Sequence, residues 1–567
     1  MQVYKVERPD DLPLLAEVIQ SSNLSSHLDE HFPTHGNWDG ISLGKVVEGW
    51  LLYILSRSDH RLSYVEDWAV GRTMTLGHLL SEPSLAANHF SDDHLAVVLD
   101  HLGDDDNWDN FENAHTKEFL QVYDLTKGVD LTVRLDALII QGFREEGKLF
   151  KLGYSKQHRP GLPQVKSMVA SLDPLTFPLA NEIVSGNTAD DILYVPVIKK
   201  VQNRVQEKGL LYVSDCKGGS LETRSYIRWS NNYYLSPLSK TQLNDNQLKE
   251  YLDNQPSKLI EIKDGENKTI IAKAFEVYEK ITDSTGNSWR ERRIIVQSNS
   301  YLKSQIKNLG KKIEKSKKEL TKSFEKKSGR KHPENMEQAQ EKAKNILTKN
   351  GVFDFFDYTI SETVKEKKIG SHKGKPERIE TKKSYQIDFA VKEKQLNEHK
   401  QFLGWRVYAT NAKKKRLNTK QVVECYRAEY KIEHLFNKLL NKVVALVPVF
   451  LQKDIRVKGL IRLLLLALKF DSIIQHQVRE NLEGKEIKGI YPGNPGRVTK
   501  KPTTQLLLYP FREISLIFFK NEKGESFTQL MNLDNVQSNI IQLLGFDNSV
   551  YQNLENISIF DSQIIET

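Results

Sequence analysis

The pattern of apolar and polar positions changes four times along the chain, and each change marks a different kind of structure. Up to residue 122 the pattern is helical: "SLGKVVEGWLLYILSRS" carries apolar residues at helical spacing behind Ser42, and "SDDHLAVVLDHL" opens on a Ser/Asp cap. From about residue 129 the period shortens. "VDLTVRLDALIIQG" is a mostly apolar run ending in a turn, "GKLFKLGYS" and "PQVKSMVASLDPLTFPLANEIVSG" follow, and the three read as consecutive strands. "VPVIKKVQNRVQEKG" then predicts a helix, with Pro196 in its first turn, Gly209 just past its end and Val197, Val201 and Val205 on one face. "LLYVSDCKGG" gives a short strand stopping at Asp215, and "NNYYLSPLS" a further one. The order is that of an α/β fold.

Between 241 and 400 the texture changes again. "YLKSQIKNLGKKIEKSKKELTKSFEKKSGRKH" is dense in Lys and "ENMEQAQEKAKNILTKNG" is helical, so the two predict an antiparallel helical pair joined near "SGRKHPEN". Strand-like pieces flank the pair: "KTIIAKAFEVYEK" and "WRERRIIVQS" before it, "SYQIDFAVKEK" after it. This is an α+β insertion. Because its Lys residues are interspersed with Glu, the basic helix is either a solvated face or a DNA surface. Residues 401–480 and 481–567 complete the chain, and "LIRLLLLALKF" in the former is too short and, through Arg462, too polar to span a membrane. It reads as a buried helix. No internal repeat or long Gly/Ser linker interrupts the pattern.

Bulk properties add three constraints. At 567 residues the chain has material for two to four folded units. A net charge of +8 and an isoelectric point near 8.9 arise from many charges of both signs, which favours local basic surfaces and makes nucleic acid a candidate partner. The two cysteines, Cys216 and Cys425, provide no disulfide framework and no CxxC pattern, and the 15 histidines show no ligand spacing. The start "MQVYKVERPDD" is charged where a signal peptide needs an apolar run. A cytoplasmic protein, not bound to a membrane, is expected.

Three carboxylates are anomalous. Asp136 falls inside the first apolar strand, Asp215 ends a later one, and Glu433 lines up on a helical wheel with Tyr426, Tyr430, Phe436 and Leu440. Each has a plain alternative: a strand-end Asp is commonly a turn or cap residue, Asp136 could pair with Arg134 or another base, and Glu433 could be neutralised by a nearby Lys or Arg or not be fully buried after all. One explanation covers all three. Carboxylates brought together by a sheet repel one another, and hard divalent cations with oxygen ligands relieve that repulsion. Two such ions about 4 Å apart suit phosphoryl transfer on a nucleic acid.

These residues carry a family resemblance. "LGYSKQHRPGLPQVKSMVASLDPLTFPLANEIVSGNTAD", "YVSDCKGGS", "FLGWRVYATN" and "YRAEYKIEHLFNKLL" resemble, in that order, the segments around the acidic residues of DDE transposases of the IS4 superfamily, IS1634-like group. "THGNWDGISLGKVVEGWLLYILSRSDHRLSYVEDWA" is similar to the helical domain that precedes them. The resemblance implies an RNase H-like catalytic core, a mixed five-stranded sheet with flanking helices, in segments 123–240 and 401–480. An α+β subdomain at 241–400 would interrupt it, a helical DNA-binding domain at 1–122 would precede it, and a C-terminal region at 481–567 would follow. Asp136, Asp215 and Glu433 would bind two Mg²⁺ ions, with Mn²⁺ able to substitute. Asn187 and Asp190 would shape the edge of the site or cap the following helix. Trp405 would stack on a displaced base or pack in the core, and Tyr426, Arg427 and Lys438 would lie along the DNA. The family's helix signature is broken at Glu429 and Leu440, which stand where Arg and Lys are usual.

The implied activity is cleavage and strand transfer at the terminal inverted repeats of an insertion sequence, by an enzyme acting on double-stranded DNA as a homodimer at the prokaryotic nucleoid. A domesticated DDE nuclease and a catalytically silent DNA-binding regulator are the alternatives.

Overall fold

Ser and Asp residues placed just before apolar runs start helices as the sequence predicts. The Ser42 hydroxyl accepts from the Lys45 N–H and the Ser91 hydroxyl from the His94 N–H, which satisfies donors that a helix start leaves open. A computed structural model of the chain describes residues 2–36, 38–127, 130–153, 161–265, 268–325, 332–369, 378–520 and 526–557. Two compact units result: residues 1–236 with 283–287 and 425–567, and residues 237–282 with 288–424.

The front of the first unit runs β1 (Gln2–Glu7), α1 (Leu12–Gln20), α2 (Leu24–His31), α3 (Leu43–Arg57), α4 (Val65–Val70), α5 (Thr73–Leu79), α6 (Asp92–Leu102) and α7 (Asp105–Val122). β2 (Thr132–Gln141), β3 (Gln164–Leu172), β4 (Phe177–Ser185), α8 (Tyr194–Val205), β5 (Leu211–Ser214), α9 (Leu221–Trp229) and β6 (Tyr233–Pro237) follow. Within this unit the strand order is β4-β3-β2-β5-β6. β4, β3 and β2 pair antiparallel, while β2–β5 and β5–β6 are parallel. This is a mixed sheet, as expected, and nearly every position of β2 and β3 is buried.

Two strand assignments need correction. "GKLFKLGYS" forms no strand among its described residues, only an isolated bridge between Lys151 and Gln164; Tyr154 and Ser155 lie outside them. "PQVKSMVASLDPLTFPLANEIVSG", taken as one strand, is two, because Asp173-Pro174 and Thr176 turn the chain between β3 and β4. The helix α8 stops at Val205 with Gln206 in the left-handed region (φ 57°), three residues before Gly209. Its apolar face holds: Val197, Val201 and Val205 are all buried.

The second unit contains α10 (Asp245–Asp253), β7 (Ile260–Lys263), β8 (Ile270–Thr282), β9 (Ser288–Ser298), α11 (Asn299–Phe324), α12 (Met336–Lys349), β10 (Phe356–Ile369), β11 (Arg378–Val391), α13 (Glu393–Gln401) and β12 (Trp405–Thr410). Its strands run in the order β12-β9-β8-β7, and β10 and β11 form a separate hairpin that the sequence showed only in part. The predicted helical pair is α11 and α12; its joint at 326–331 lies outside the described residues. Leu309, Ile313, Leu320 and Phe324 of α11 pack with Ala339, Ala343 and Leu347 of α12. Lys303, Lys307, Lys311, Lys315 and Lys318 are left exposed.

After α14 (Thr419–Arg427), the chain runs through α15 (Tyr430–Asn437), a π-helical turn at Lys438–Lys442, α16 (Asp454–Asn481), α17 (Thr504–Leu508), β13 (Leu516–Lys520), β14 (Ser526–Leu530), α18 (Asn535–Leu543) and α19 (Ser549–Gln552). β13 pairs with both β14 and β1, so the first residues of the chain are a strand rather than part of the helical front. The apolar run "LIRLLLLALKF" lies in α16 and is buried. Arg462 within it donates to the Leu102 and Asp104 carbonyls and meets Asp105 at 2.5 Å, which is how a buried guanidinium is tolerated. Farther along, Lys469 and Arg204 both bind the buried Glu112, at 3.2 and 2.9 Å, and so tie α16 and α8 to α7. Among the described residues no helix is long and apolar enough to cross a membrane.

Candidate active site

Parallel pairing of β2 with β5 sets the first part of the site. Leu135 lies opposite Ser214, so Asp136 and Asp215, one residue further along each chain, are neighbours on the same face. Both are half-buried. Asp136 Oδ1 accepts from the Ala137 N–H at 2.7 Å. Asp215 Oδ1 accepts from the Lys217 and Gly218 N–H groups at 2.8 and 3.3 Å, so the "CKGG" turn holds that carboxylate. Gly218 is required there because a Cβ would stand 2.6 Å from the Tyr194 ring and collide with Ser214.

Tyr194 is a site residue that the sequence reading missed. It opens α8, is 1% exposed, and donates its hydroxyl hydrogen to Asp215 at 2.7 Å. Burial, reinforced by the negative charges of Asp215, Asp136 and Asp190, pushes its phenol far above the ordinary value. The hydroxyl therefore stays neutral, bonded to one carboxylate and in the field of two more. Its only signal in the sequence was membership of the apolar stripe of Val197, Val201 and Val205, which looks like core.

Asp190 does not cap the following helix with its side chain. Instead it pairs with Lys166 of β3 at 2.5 Å, and the same ammonium also binds the Thr188 carbonyl. Asn187 is exposed and accepts from the Ser185 hydroxyl at 2.8 Å.

Glu433 is not where the helical wheel put it. Of the residues aligned with it, Tyr426, Phe436 and Leu440 are buried while Tyr430 and Glu433 are exposed; the break between α14 and α15 at Ala428–Glu429 takes Tyr426 out of phase with Glu433, and the π-helical turn at Lys438–Lys442 does the same for Leu440. The carboxylate faces outward and needs no buried partner. α15 nonetheless packs against β2, the strand of Asp136. Arg134, on the same face of β2 as Asp136, anchors that packing. Its guanidinium donates to the Cys425 carbonyl at 2.9 Å and pairs with Asp173 at 2.7 Å, and Asp173 also meets Lys431 of α15 at 3.4 Å.

Among the described residues, the group of His, Cys, Asp and Glu whose ligand atoms all lie within 4.8 Å of one another is His27, Glu30 and His31, not the three acids. Asp136 and Asp215 are an adjacent pair of oxygen donors, the ligand type that hard cations take.

The remaining expected contacts divide. Tyr426 is 7% exposed and Arg427 is exposed. Lys438 does not stand free for a phosphate: its ammonium binds the buried Asp471 of α16 at 2.6 Å. Trp405 belongs to the second unit, where its half-buried ring packs edge-on to Phe275 and its indole N–H donates to the Gln401 carbonyl at 3.0 Å.

Residues 4–114 match a family described as "Domain of unknown function (DUF4277)". No curated protein matches the chain. Among solved structures, the chain is similar to the cryo-EM structure of piggyBac transposase synaptic complex with hairpin DNA, at 9% identity and a TM-score of 0.37, over 97% of this chain and 85% of that one. Likeness at that level says nothing of activity, and the chemistry of the site is that of its own residues.

Proposed function

We propose that the chain is a DDE transposase of an insertion sequence, a DNA-cleaving and strand-joining enzyme with an RNase H-like core. The observation that carries this reading is the adjacency of Asp136 and Asp215 on parallel strands, with the helix of Glu433 packed on the first of them. A mixed five-stranded sheet with flanking helices is also the core that the family resemblance implies. Asp136, Asp215 and Glu433 would hold two Mg²⁺ ions. Such ions, when bound, activate the attacking oxygen and stabilise the leaving oxygen of a phosphodiester.

The chain's own residues supply the positioning. Tyr194 and the Lys217 and Gly218 N–H groups fix one oxygen of Asp215, which leaves the other for a cation. Arg134 and Asp173 hold α14 and α15 on β2 and so fix the base of the helix that carries Glu433. Arg427 and the exposed lysines of α11 provide cationic surface for DNA phosphates, whose contacts dominate affinity and make it salt-dependent. Terminal inverted repeats and target DNA are the proposed substrates, bound by a homodimer.

Incubation with a DNA fragment bearing the element's ends and Mg²⁺ tests the proposal. Joined products are expected. Nicks without joining would favour a nuclease, and bound but uncut DNA a regulator.

A further inference from the structure

On α2 the sequence "HLDEH" places His27 and His31 one turn apart, with Glu30 beside them. This is a ligand spacing after all, and a correction: the i, i+4 pair puts two imidazoles on one helix face. The rings lie parallel, with 5° between planes and 6.5 Å between centroids. His27 Nδ1 and His31 Nε2 are shielded from solvent and have no hydrogen-bond partner among the described residues. Two imidazole nitrogens without partners, close to a carboxylate, are an unfavourable arrangement unless something binds them.

A second contact explains which nitrogen of His27 is left over. Glu118 of α7 meets His27 Nε2 at 2.5 Å, and the other oxygen of Glu118 accepts from Asn23 Nδ2 at 2.5 Å. The carboxylate is thus oriented by Asn23 and in turn fixes the imidazole through Nε2, leaving Nδ1 as the nitrogen without a hydrogen-bond partner among the described residues. Carboxylate–histidine pairs of this kind set the tautomer and raise the basicity of metal-ligating histidines.

We propose that His27, Glu30 and His31 form a binding site for a borderline transition-metal dication, best suited to Zn²⁺, with Glu118 as the orienting carboxylate. The ligand atoms of the three residues lie within 4.8 Å of one another. Two imidazoles and one carboxylate favour Zn²⁺ over Mg²⁺, which prefers an all-oxygen set such as Asp136 with Asp215. The two sites are therefore distinguishable by metal. Three protein ligands leave a fourth position open to water or to a donor from another molecule.

Equilibrium dialysis of the full chain against ZnCl₂ in excess MgCl₂ tests the site, with CoCl₂ as the spectroscopic probe. The native chain should retain one Zn²⁺ ion, and Co²⁺ should give the visible bands of a nitrogen-ligated low-symmetry site. His31→Ala should abolish both signals. Glu118→Gln should weaken binding about 10- to 100-fold, the usual effect of losing such a partner. Glu30→Gln, at an exposed position, checks the result without risk to folding and should weaken Zn²⁺ binding as well. The proposal is overturned if the native chain and the His31→Ala chain, both folded by circular dichroism, retain the same amount of Zn²⁺, or if neither binds it.

Discussion

The hydroxyl of Tyr194 lies 2.7 Å from the Asp215 carboxylate and is, among the described residues, the one side-chain donor to it, beside two backbone N–H groups. Because burial and the surrounding acids keep the phenol protonated, it is a donor throughout the working pH range. Tyr194→Phe keeps the ring and removes the donor. Loss of one hydrogen bond to a charged group costs about 1.5–3 kcal/mol of stability, so the urea midpoint should fall, and cleavage by the chain that remains folded should drop roughly 10- to 100-fold. A variant that cleaves at the native rate would show that Asp215 needs no such support.

Arg134 is expected to be structural first and catalytic only through the helices it holds. It is 2% exposed and faces Asp173, and removing one partner of a buried pair costs about 3–5 kcal/mol. Arg134→Met should lower stability by that order and reduce cleavage in step. Adding Asp173→Leu should restore part of the stability, because no charge is then stranded. Equal destabilisation by the single and double variants would mean that the pair contributes nothing.

How much of this was legible in the sequence depends on the kind of signal. Strand and helix periods gave β2, β5 and α8, because buried strands are continuous apolar runs and α8 has a clean apolar face. Asp136 and Asp215 stood out because carboxylates are rare in such runs. The wheel assumed one regular helix, but the break at Ala428–Glu429 has no Pro or Gly to announce it and a π-helical turn follows at Lys438–Lys442, so Glu433 is exposed where Tyr426 and Leu440 are buried. Tyr194 was hidden among core positions, and Lys438 looked like a surface cation because Asp471, its partner, is 33 residues away in sequence. Long-range pairings of that sort leave no periodic trace.

Lys438 and Arg427 should behave differently in DNA binding. Lys438→Met strands the buried Asp471 and should cost about 3–5 kcal/mol of stability, with the salt dependence of DNA binding unchanged. Arg427→Gln should leave stability alone and reduce the slope of log affinity against log salt by about one unit. A reduced slope in folded Lys438→Met would contradict the placement of that side chain.

Asp11 gives the fold a pH dependence. Burial raises its carboxyl from 3.8 to about 6, against a hydrogen bond from Ser56, and its Oδ1 has no partner. The folded chain holds this proton more tightly than the unfolded chain, so the associated stability is complete below pH 3.8 and is lost as pH rises through about 6. Asp11→Asn should therefore be the more stable chain at neutral pH, by up to about 3 kcal/mol, and the gap should close as pH falls toward 4. Urea unfolding across that range measures it, and a gap independent of pH would refute it.

The proposed function requires Glu433 to act with Asp136 and Asp215 as one unit. The most direct measurement is the rate of Mg²⁺-dependent cleavage of end-bearing DNA by the native chain, by Asp136→Asn, by Glu433→Gln and by the double variant. Groups that act together are strongly non-additive, so each single change should cost about 10³-fold or more and the double change little beyond that. Cleavage by Glu433→Gln within about tenfold of native, a difference of roughly 1.4 kcal/mol, would contradict the account.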